Sequence, residues 1–335
     1  MNKHFRVPGR LHSKLEELGV RGSAVLRRAG LPQDLFEQTR VLVSTEEMFA
    51  FWRAIGEVAP DPGIGLQLAT EDRTERFHPM GIAALSTENL GAAVSQMARY
   101  KRLTCPEEIV QDFDGREWRI QFRWLLAMEF EPPVLTEYCY AWLQTIARHG
   151  TGTKISPLRV EFVQTREHVK AIERYFECPV VCGASSNAIV YRVEDVQTPF
   201  VTRNAELLAM LAPQFDEELK ESHRLESFPE QVRNAIREKL TGHRPTIDDV
   251  SRGLHMSSRT LQRRLQESGS SFQRVLDEAR HQMARYYLTN SLLELNEAAY
   301  LLGYEDANSF ARAFRSWEGI PPGHWRETQR ATAVS

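Results

Sequence analysis

The amino-acid sequence predicts an α+β domain followed by an all-α domain that contains two helix-turn-helix units. The first observation is a pattern that occurs twice near the C-terminus, at residues 246–265 and again at residues 295–314. The second is an alternation of apolar and polar residues between positions 109 and 124, which is typical of paired β-strands. The third is the length of 335 residues, which exceeds that of one ordinary domain. Together these observations predict two domains of different secondary structure.

The N-terminal part of the chain, residues 1–222, changes between helical and strand-like patterns. Ser44 opens one helix, and Glu47 stands where a capping box requires an acidic residue. Asp114-Gly115 separates two alternating runs and therefore predicts a β-hairpin. Helices are predicted at residues 11–18, 23–29, 44–58, 90–101, 133–149, 168–176 and 204–222, and further strands at 158–163 and 187–193. The resulting order, ββ–α–β–α–β, predicts an α+β domain.

The two C-terminal copies share the features that the first half of a helix-turn-helix needs. Ser251 and Ala299 are small residues in the middle of a short apolar stripe, where a second helix can cross at close range. Gly303 can adopt the positive φ that a tight turn often requires. Leu254-His255-Met256 marks the turn of the first copy less clearly. A turn between two short helices is nevertheless predicted in both copies.

The second helix of each copy begins after a residue that can cap it, Ser257 or Asp306. Its apolar residues are predicted to be buried, so that its opposite face points to solvent. That face carries Arg259, Gln262, Arg263, Asn308, Ser309 and Arg312. In a helix-turn-helix this face enters the major groove, where such side chains contact base edges. The alternative is a plain bundle with solvated charges, but two aligned copies favour an interface with DNA.

A dense set of motifs begins in the second copy and continues beyond it. They are Ala298-Ala299, Leu302-Gly303-Tyr304, Ser309-Phe310, Arg312-Ala313-Phe314 and Gly319-Ile-Pro-Pro-Gly-His-Trp-Arg326. On these motifs, residues 230–328 resemble the DNA-binding domain of the AraC/XylS regulators, with Trp325 where a tyrosine is more usual. Phe272 to Leu288 corresponds to the helix that links the two units in that family. The resemblance implies a transcription regulator, most often an activator, whose partners are promoter DNA and RNA polymerase.

Two N-terminal segments, residues 27–34 and 81–94, resemble the arabinose-binding-like sensing domain of the ornithine-utilisation and arginine regulators within this family. The resemblance implies a small-molecule effector and a homodimer, and it leaves the effector unidentified. Arg99, Tyr100 and Arg102 are candidates to bind a carboxylate, because arginine holds carboxylates with two hydrogen bonds. The alternative for them is a solvated helix end. Trp118 and Trp124 suit either a pocket wall or the core.

The sequence also predicts where the domains begin and end. A sensing and dimerisation domain is expected at residues 1–222, followed by a polar linker at 223–229 that ends in proline. The DNA-binding domain is expected at 230–328, with its helix-turn-helix units at 247–268 and 295–318.

Composition and charge limit the class of protein. No apolar run is long enough to cross a bilayer and the N-terminus lacks the apolar core of a signal peptide, so a cytoplasmic protein without a membrane partner is expected. The net charge is −3, although Phe228 to the C-terminus holds 15 Lys and Arg against 13 Asp and Glu. Affinity for DNA must therefore come from locally placed arginines rather than from bulk charge.

Neither a metal site nor a catalytic centre is expected. Among the four cysteines only Cys178 and Cys182 are close in sequence, and in an extended segment they would lie roughly 13 Å apart, too far for one metal ion. No cofactor motif, P-loop, G-x-S-x-G elbow or H-E-x-x-H sequence is present. A DNA-binding protein without an effector and a DNA-repair enzyme with this DNA-binding domain are the remaining alternatives.

Overall fold

The computed structural model describes residues 5–6, 10–37, 42–71, 73, 76–103, 105, 107–124, 127, 129–225, 227–240, 242–291 and 293–334. The chain divides into two compact units. The first unit comprises residues 1–124 and 131–219, and the second comprises residues 125–130 and 220–335. None of the helices in these described segments is long and apolar enough to span a membrane.

The first unit combines helices with a five-stranded sheet. Its helices are α1 (Arg10–Glu17), α2 (Gly22–Ala29), α3 (Thr45–Val58), α4 (Ile64–Ala69), α5 (Pro79–Leu85), α6 (Leu90–Tyr100), α7 (Pro133–Thr151), α8 (Val169–Phe176), α9 (Val193–Val196) and α10 (Ala205–Leu225). Its strands are β1 (Phe5–Arg6), β2 (Leu42–Val43), β3 (Glu107–Phe113), β4 (Glu117–Trp124), β5 (Arg159–Phe162), β6 (Val180–Cys182) and β7 (Ala188–Arg192). The fold class is α+β, as the sequence predicts.

The main sheet has the strand order β3-β4-β7-β5-β6, with β1 and β2 forming a separate ribbon. Within the main sheet β5 and β6 are parallel, and the other neighbours are antiparallel. The predicted hairpin is confirmed: Gly115 has a φ of 97°, and the Asp114 carboxylate accepts the N–H groups of Arg116 and Glu117. Tyr140 of α7 meets the rings of Phe122 and Phe162, so α7 packs on the sheet.

The predicted helices are present within a few residues of their expected ends, and the Ser44–Glu47 capping box is confirmed. The predicted order of elements was incomplete, because it lacked helices α4, α5 and α9 and strands β1, β2 and β6. Helix α4 begins at Ile64, directly after the Asp-Pro-Gly segment that the sequence indicates only as a break. Strand β6 has three residues and pairs with β5 across the intervening helix α8, a contact that no local pattern reveals.

The second unit is all-α, in agreement with the prediction. Its helices are α11 (Phe228–Lys239), α12 (Ile247–Gly253), α13 (Ser258–Glu267), α14 (Phe272–Asn290), α15 (Leu295–Leu301), α16 (Ala307–Glu318) and α17 (Pro322–Val334). Helix α14 contributes the predicted face to the core, namely Val275, Leu276, Ala279, Met283 and Tyr287. The same core holds Leu261 and Leu265 of α13 and Phe310 and Phe314 of α16. Both helix-turn-helix units are therefore fixed to one central helix.

The segment predicted as a linker, residues 223–229, is largely helical. Helix α10 continues to Leu225, and α11 begins at Phe228 with Ser227 and Glu230 as a capping box. Few residues are thus left between the two helices. Polar residues are as common on exposed helix faces as in loops. The polar composition of this stretch therefore does not distinguish a linker from a helix. The domain boundary stays a prediction.

Candidate nucleic-acid interface and ligand cavity

Helices α12 and α13 form the first helix-turn-helix. The hydroxyl oxygen of Thr246 accepts the N–H of Asp249 at 3.2 Å and caps α12, and that of Ser257 accepts the N–H of Thr260 at 3.2 Å and caps α13. Ser251 is buried, with its hydroxyl oxygen 3.2 Å from that of Ser258. The small side chain at position 251 therefore allows the two helices to meet, as the sequence predicts.

The turns of the two copies are closed by the same hydrogen bonds. The N–H of His255 donates to the carbonyl of Arg252 and that of Met256 to the carbonyl of Ser251. In the second copy Gly303 and Tyr304 make the equivalent bonds to Tyr300 and Ala299. This is a Schellman closure, which needs a left-handed residue after the helix. His255, with a φ of 53°, adopts that conformation without being glycine, which explains why the first turn is weakly marked in the sequence.

Two features of the structure explain why position 303 is a glycine. Its φ is 69°, a conformation that other residues rarely adopt. A Cβ at this position would lie 2.6 Å from the carbonyl oxygen of His243, so a side chain would collide with the backbone before α12. After the turn, the Asp306 carboxylate accepts the N–H of Ser309 at 2.8 Å and caps α16. The sequence predictions for Gly303 and Asp306 are confirmed.

Helix α13 turns the predicted polar residues to solvent. Arg259, Gln262 and Arg263 are exposed, opposite the buried Leu261 and Leu265. Arg263 lies 3.6 Å from the Glu267 carboxylate, and both side chains are more than half exposed, so the contact is weak. Arg259 has no hydrogen bond or ion pair to another residue in the described part of the chain. Its guanidinium is therefore available for an external acceptor.

On α16, Asn308 and Arg312 are exposed and Ser309 is half-buried. Ser309 donates its hydroxyl to Asp306 at 2.7 Å and accepts a hydrogen bond from the Arg312 guanidinium at 3.0 Å. These bonds hold Arg312 against the first turn of α16. The same donation by Ser309 lowers the pKa of Asp306, which therefore stays ionised. Ser309 thus contributes to positioning, while Asn308 and Arg312 present donors to the outside.

Arg280 is a structural residue of the second unit that the sequence analysis did not single out. It is buried in the middle of α14, donates to the carbonyls of Leu302 at 2.9 Å and Gly303 at 2.6 Å, and lies 4.3 Å from the Tyr304 ring centre. Burial lowers the pKa of this guanidinium. Arg280 therefore fixes the turn that places α16. The sequence feature that could have revealed this role is the position of Arg280, four residues after Leu276 on a helix face that is otherwise apolar.

Replacing Arg280 with methionine is expected to lower the free energy of unfolding of the second unit by roughly 2–4 kcal/mol, because two buried carbonyls lose charge-assisted hydrogen bonds. Arg274→Met on the same helix is the matched control. Arg274 is exposed and pairs with a partly exposed Glu278, so its replacement should cost less than about 1 kcal/mol. Urea denaturation of both variants measures the difference. Equal midpoints would show that Arg280 does not support the turn.

The first unit contains a cavity of about 150 Å³ between α3, α7 and strand β4. Its walls are mainly aromatic, formed by Trp52, Phe122, Trp124, Tyr138 and Trp142. Among the lining residues, Trp142 is half-buried and His78 is exposed. Trp124 is thus a cavity wall, whereas Trp118 is buried without lining the cavity.

Lys101 brings a charge to this cavity. Its ammonium nitrogen lies 2.7 Å from a carboxylate oxygen of the fully buried Glu107, which also accepts the Cys105 thiol at 3.3 Å. Burial disfavours the charged lysine, but the Glu107 carboxylate outweighs this effect and raises the pKa of Lys101. The lysine therefore keeps its proton. Lys101 lies between the candidates Tyr100 and Arg102 in the sequence, and no local pattern distinguishes it from them.

Arg99 and Tyr100, two of the three predicted carboxylate-binding residues, do not line this cavity. The Arg99 guanidinium and the Tyr100 hydroxyl both contact the Asp216 carboxylate of α10, at 2.8 and 2.6 Å. Burial and this hydrogen bond raise the pKa of Tyr100 to about 12. The side chain of Arg102 lies outside the described residues. The carboxylate that Arg99 and Tyr100 bind is therefore one of the protein itself.

All four cysteines are free thiols, and Cys105 and Cys139 line the cavity. Burial raises the pKa of Cys139 well above its ordinary value and that of Cys178 to about 11, so both thiols are protonated at neutral pH. Cys182 lies at the end of β6 and is half-buried. Within the described segments, no group of three or more His, Cys, Asp or Glu side chains is arranged to hold a metal ion.

Residues 19–200 match the family described as the arabinose-binding domain of AraC transcription regulator, N-terminal, and residues 250–328 match a helix-turn-helix domain family. The ornithine utilization regulator of Pseudomonas aeruginosa is 28% identical over 93% of this chain and 92% of its own length. An uncharacterised HTH-type transcriptional regulator of Mycobacterium tuberculosis is 25% identical over 92% of each chain. The crystal structure of transcriptional regulator CdpR from P. aeruginosa is 21% identical, with a TM-score of 0.45 over 95% of this chain and 96% of that one.

Proposed function

The chain belongs to the AraC family of transcription regulators, and we propose that it binds promoter DNA with both helix-turn-helix units at once. The observation that carries this proposal is the presence of two capped helices, α13 and α16, with exposed polar faces on one shared core. Helix α14 joins the units and has 19 residues, a length of about 28 Å. Successive major-groove segments on one face of DNA are about 34–36 Å apart. The length of the linking helix is of the same order as this spacing.

The proposed contacts follow from the exposed side chains. Arg259 and Arg263 suit the O6 and N7 acceptors of guanine, and Gln262 suits the edge of adenine. On α16, Asn308 and Arg312 take the same roles, with Ser309 holding Arg312 in place. Arginine is expected to dominate the specificity, because its two parallel donors match guanine in a geometry that lysine cannot reproduce.

We further propose that the first unit senses a small molecule and that the protein activates transcription through RNA polymerase, as a homodimer in the cytoplasm. The arabinose-binding-type family match of residues 19–200 supports an effector. Regulation requires the effector to favour one state of the protein over another. A tenfold change in DNA affinity needs a coupling free energy of only about 1.4 kcal/mol. On this proposal the protein regulates and has no catalytic activity.

A fragment beginning at Ser227 tests whether residues 227–335 of the second unit are sufficient for DNA binding. This start keeps the cap of α11 and the buried Phe228, on whose ring the Arg264 guanidinium lies at 4.0 Å. We expect the fragment to bind promoter DNA without any effector, because the shared core and both recognition helices are intact. Fluorescence anisotropy with labelled promoter DNA and an unrelated duplex as control gives the result. A folded fragment with no preference for the promoter would contradict the proposal.

A further inference from the structure

We propose that the aromatic cavity of the first unit is the effector site, and that it binds a small monocarboxylate with an apolar body. The carboxylate would contact the Lys101 ammonium and the apolar body would lie against the tryptophan rings. The inference rests on the proposed function in one respect, namely that the protein responds to an effector. It goes beyond that function by assigning the site and the chemistry of the ligand.

The charge at the cavity favours a ligand with an anionic head group. Among the described residues that line the cavity, Lys101 is the single permanent cation, and none is aspartate or glutamate. The Lys101 nitrogen lies 5.6 Å from the centre of the Phe122 ring. The aromatic side chains of the cavity are therefore next to a cation of the protein itself. Because its partner Glu107 is not among the described lining residues, the Lys101–Glu107 ion pair turns its positive end toward the cavity, which disfavours a cationic ligand. A ligand carboxylate in the cavity would add to the Lys101–Glu107 ion pair on its positive side.

The side chains that form the walls of the cavity favour a ligand with an apolar body. The indole N–H of Trp52 donates to the sulfur of Met48 at 3.1 Å, and that of Trp124 donates to the Glu131 carboxylate at 2.6 Å. These two indoles therefore offer ring surface to the cavity rather than hydrogen bonds. Ring surface binds flat or aliphatic groups by burial and stacking. A hydroxyl group of a polyhydroxylated ligand such as a sugar that lay against these ring faces would lose its hydrogen bonds to water, at a cost of about 1–3 kcal/mol for each group left unpaired.

Size limits the ligand further. The cavity of about 150 Å³ is comparable to the engineered cavities of about that volume that hold a benzene molecule. Benzoate and hexanoate are therefore suitable probes, one with an aromatic and one with an aliphatic body. Benzamide and benzylamine have nearly the same size as benzoate, but they replace the anion with a neutral group and a cation.

The test uses the full-length protein and these four compounds, with tryptophan fluorescence and titration calorimetry as measurements. We expect at least one carboxylate to quench the fluorescence and to bind at least tenfold more tightly than benzamide, and benzylamine not to bind. In the double variant Lys101→Met/Glu107→Gln this preference should disappear. Both charges are removed together because a lone buried carboxylate would destabilise the fold. Lys170→Met, the same replacement at an exposed position, should leave the preference unchanged.

Three results would overturn the inference: no binding of either carboxylate, no carboxylate that binds more tightly than benzamide, or an unchanged preference in the double variant. The first two are measured on the wild-type protein, so they decide the question even if the double variant does not fold. Anisotropy with promoter DNA on the same samples separates this inference from the proposed function. Promoter binding without any carboxylate binding would refute the ligand assignment alone. Carboxylate binding without promoter binding would refute the DNA-binding proposal instead.

Discussion

Replacing Phe310 with alanine is expected to lower the free energy of unfolding of the second unit by roughly 3–5 kcal/mol. Phe310 is fully buried, and its ring centre lies 5.7 Å from that of Tyr304 and 5.8 Å from that of Phe314. The replacement removes apolar contact area and leaves a cavity between α15 and α16, which the surrounding rings can fill only in part. Leu261→Ala should act in the same way on the first helix-turn-helix, by about 2–5 kcal/mol.

The matched control for Phe310 is Tyr300→Ala, which removes an aromatic side chain that is 63% exposed on α15. Its cost should stay below about 1 kcal/mol, because little surface is buried there. Chemical denaturation of the fragment from Ser227 to the C-terminus, followed by far-UV circular dichroism, gives both values. If the two variants unfold at the same denaturant concentration, the described core does not support the recognition helices.

The second large effect concerns DNA. The double variant Arg259→Ala/Arg312→Ala should weaken binding to the native promoter site by roughly 2–6 kcal/mol, because each arginine is expected to contribute about 1–3 kcal/mol as a base reader. The two side chains lie on different recognition helices, so their contributions should be nearly additive. Neither arginine is part of the core, and the fold should remain intact.

Arg274→Ala is the control for this double variant, since Arg274 is exposed on α14 and outside both recognition helices. Anisotropy titrations at one fixed salt concentration should compare promoter DNA with an unrelated duplex. Loss of affinity for the promoter with little change on unrelated DNA is the expected result. An equal loss on both duplexes would mean that the arginines contact phosphates and carry no sequence information.

The helix-turn-helix units could be predicted from the sequence because their determinants are local. The caps at Ser257 and Asp306, the small residues at 251 and 299, and the left-handed turn at Gly303 each depend on neighbours within about one or two helical turns. The turn at His255 is the exception. This residue has the same left-handed conformation as Gly303, but a histidine does not indicate that conformation in the sequence. Periodicity also placed the buried face of α14 correctly.

Features that depend on distant contacts could not be predicted. The sequence indicates an extended segment between Cys178 and Cys182, but it does not indicate that strand β6 within it pairs with β5, because helix α8 lies between the two strands in the chain. Likewise, a run of basic and aromatic residues around position 100 does not show which side chain points inward. Helix α6 ends at Tyr100, Arg99 and Tyr100 face Asp216 of α10, and Lys101 enters the cavity. The directions of these side chains are determined by the packing of α6 against α10 and β3.

The central claim is that one chain reads two successive major-groove segments, and footprinting of the full-length protein on its promoter tests it most directly. We expect two protected segments on one face of the DNA, with their centres about one helical turn, 10–10.5 base pairs, apart. Arg259→Ala should weaken protection of one segment and Arg312→Ala that of the other. A single short protected segment, equally sensitive to both replacements, would contradict the account.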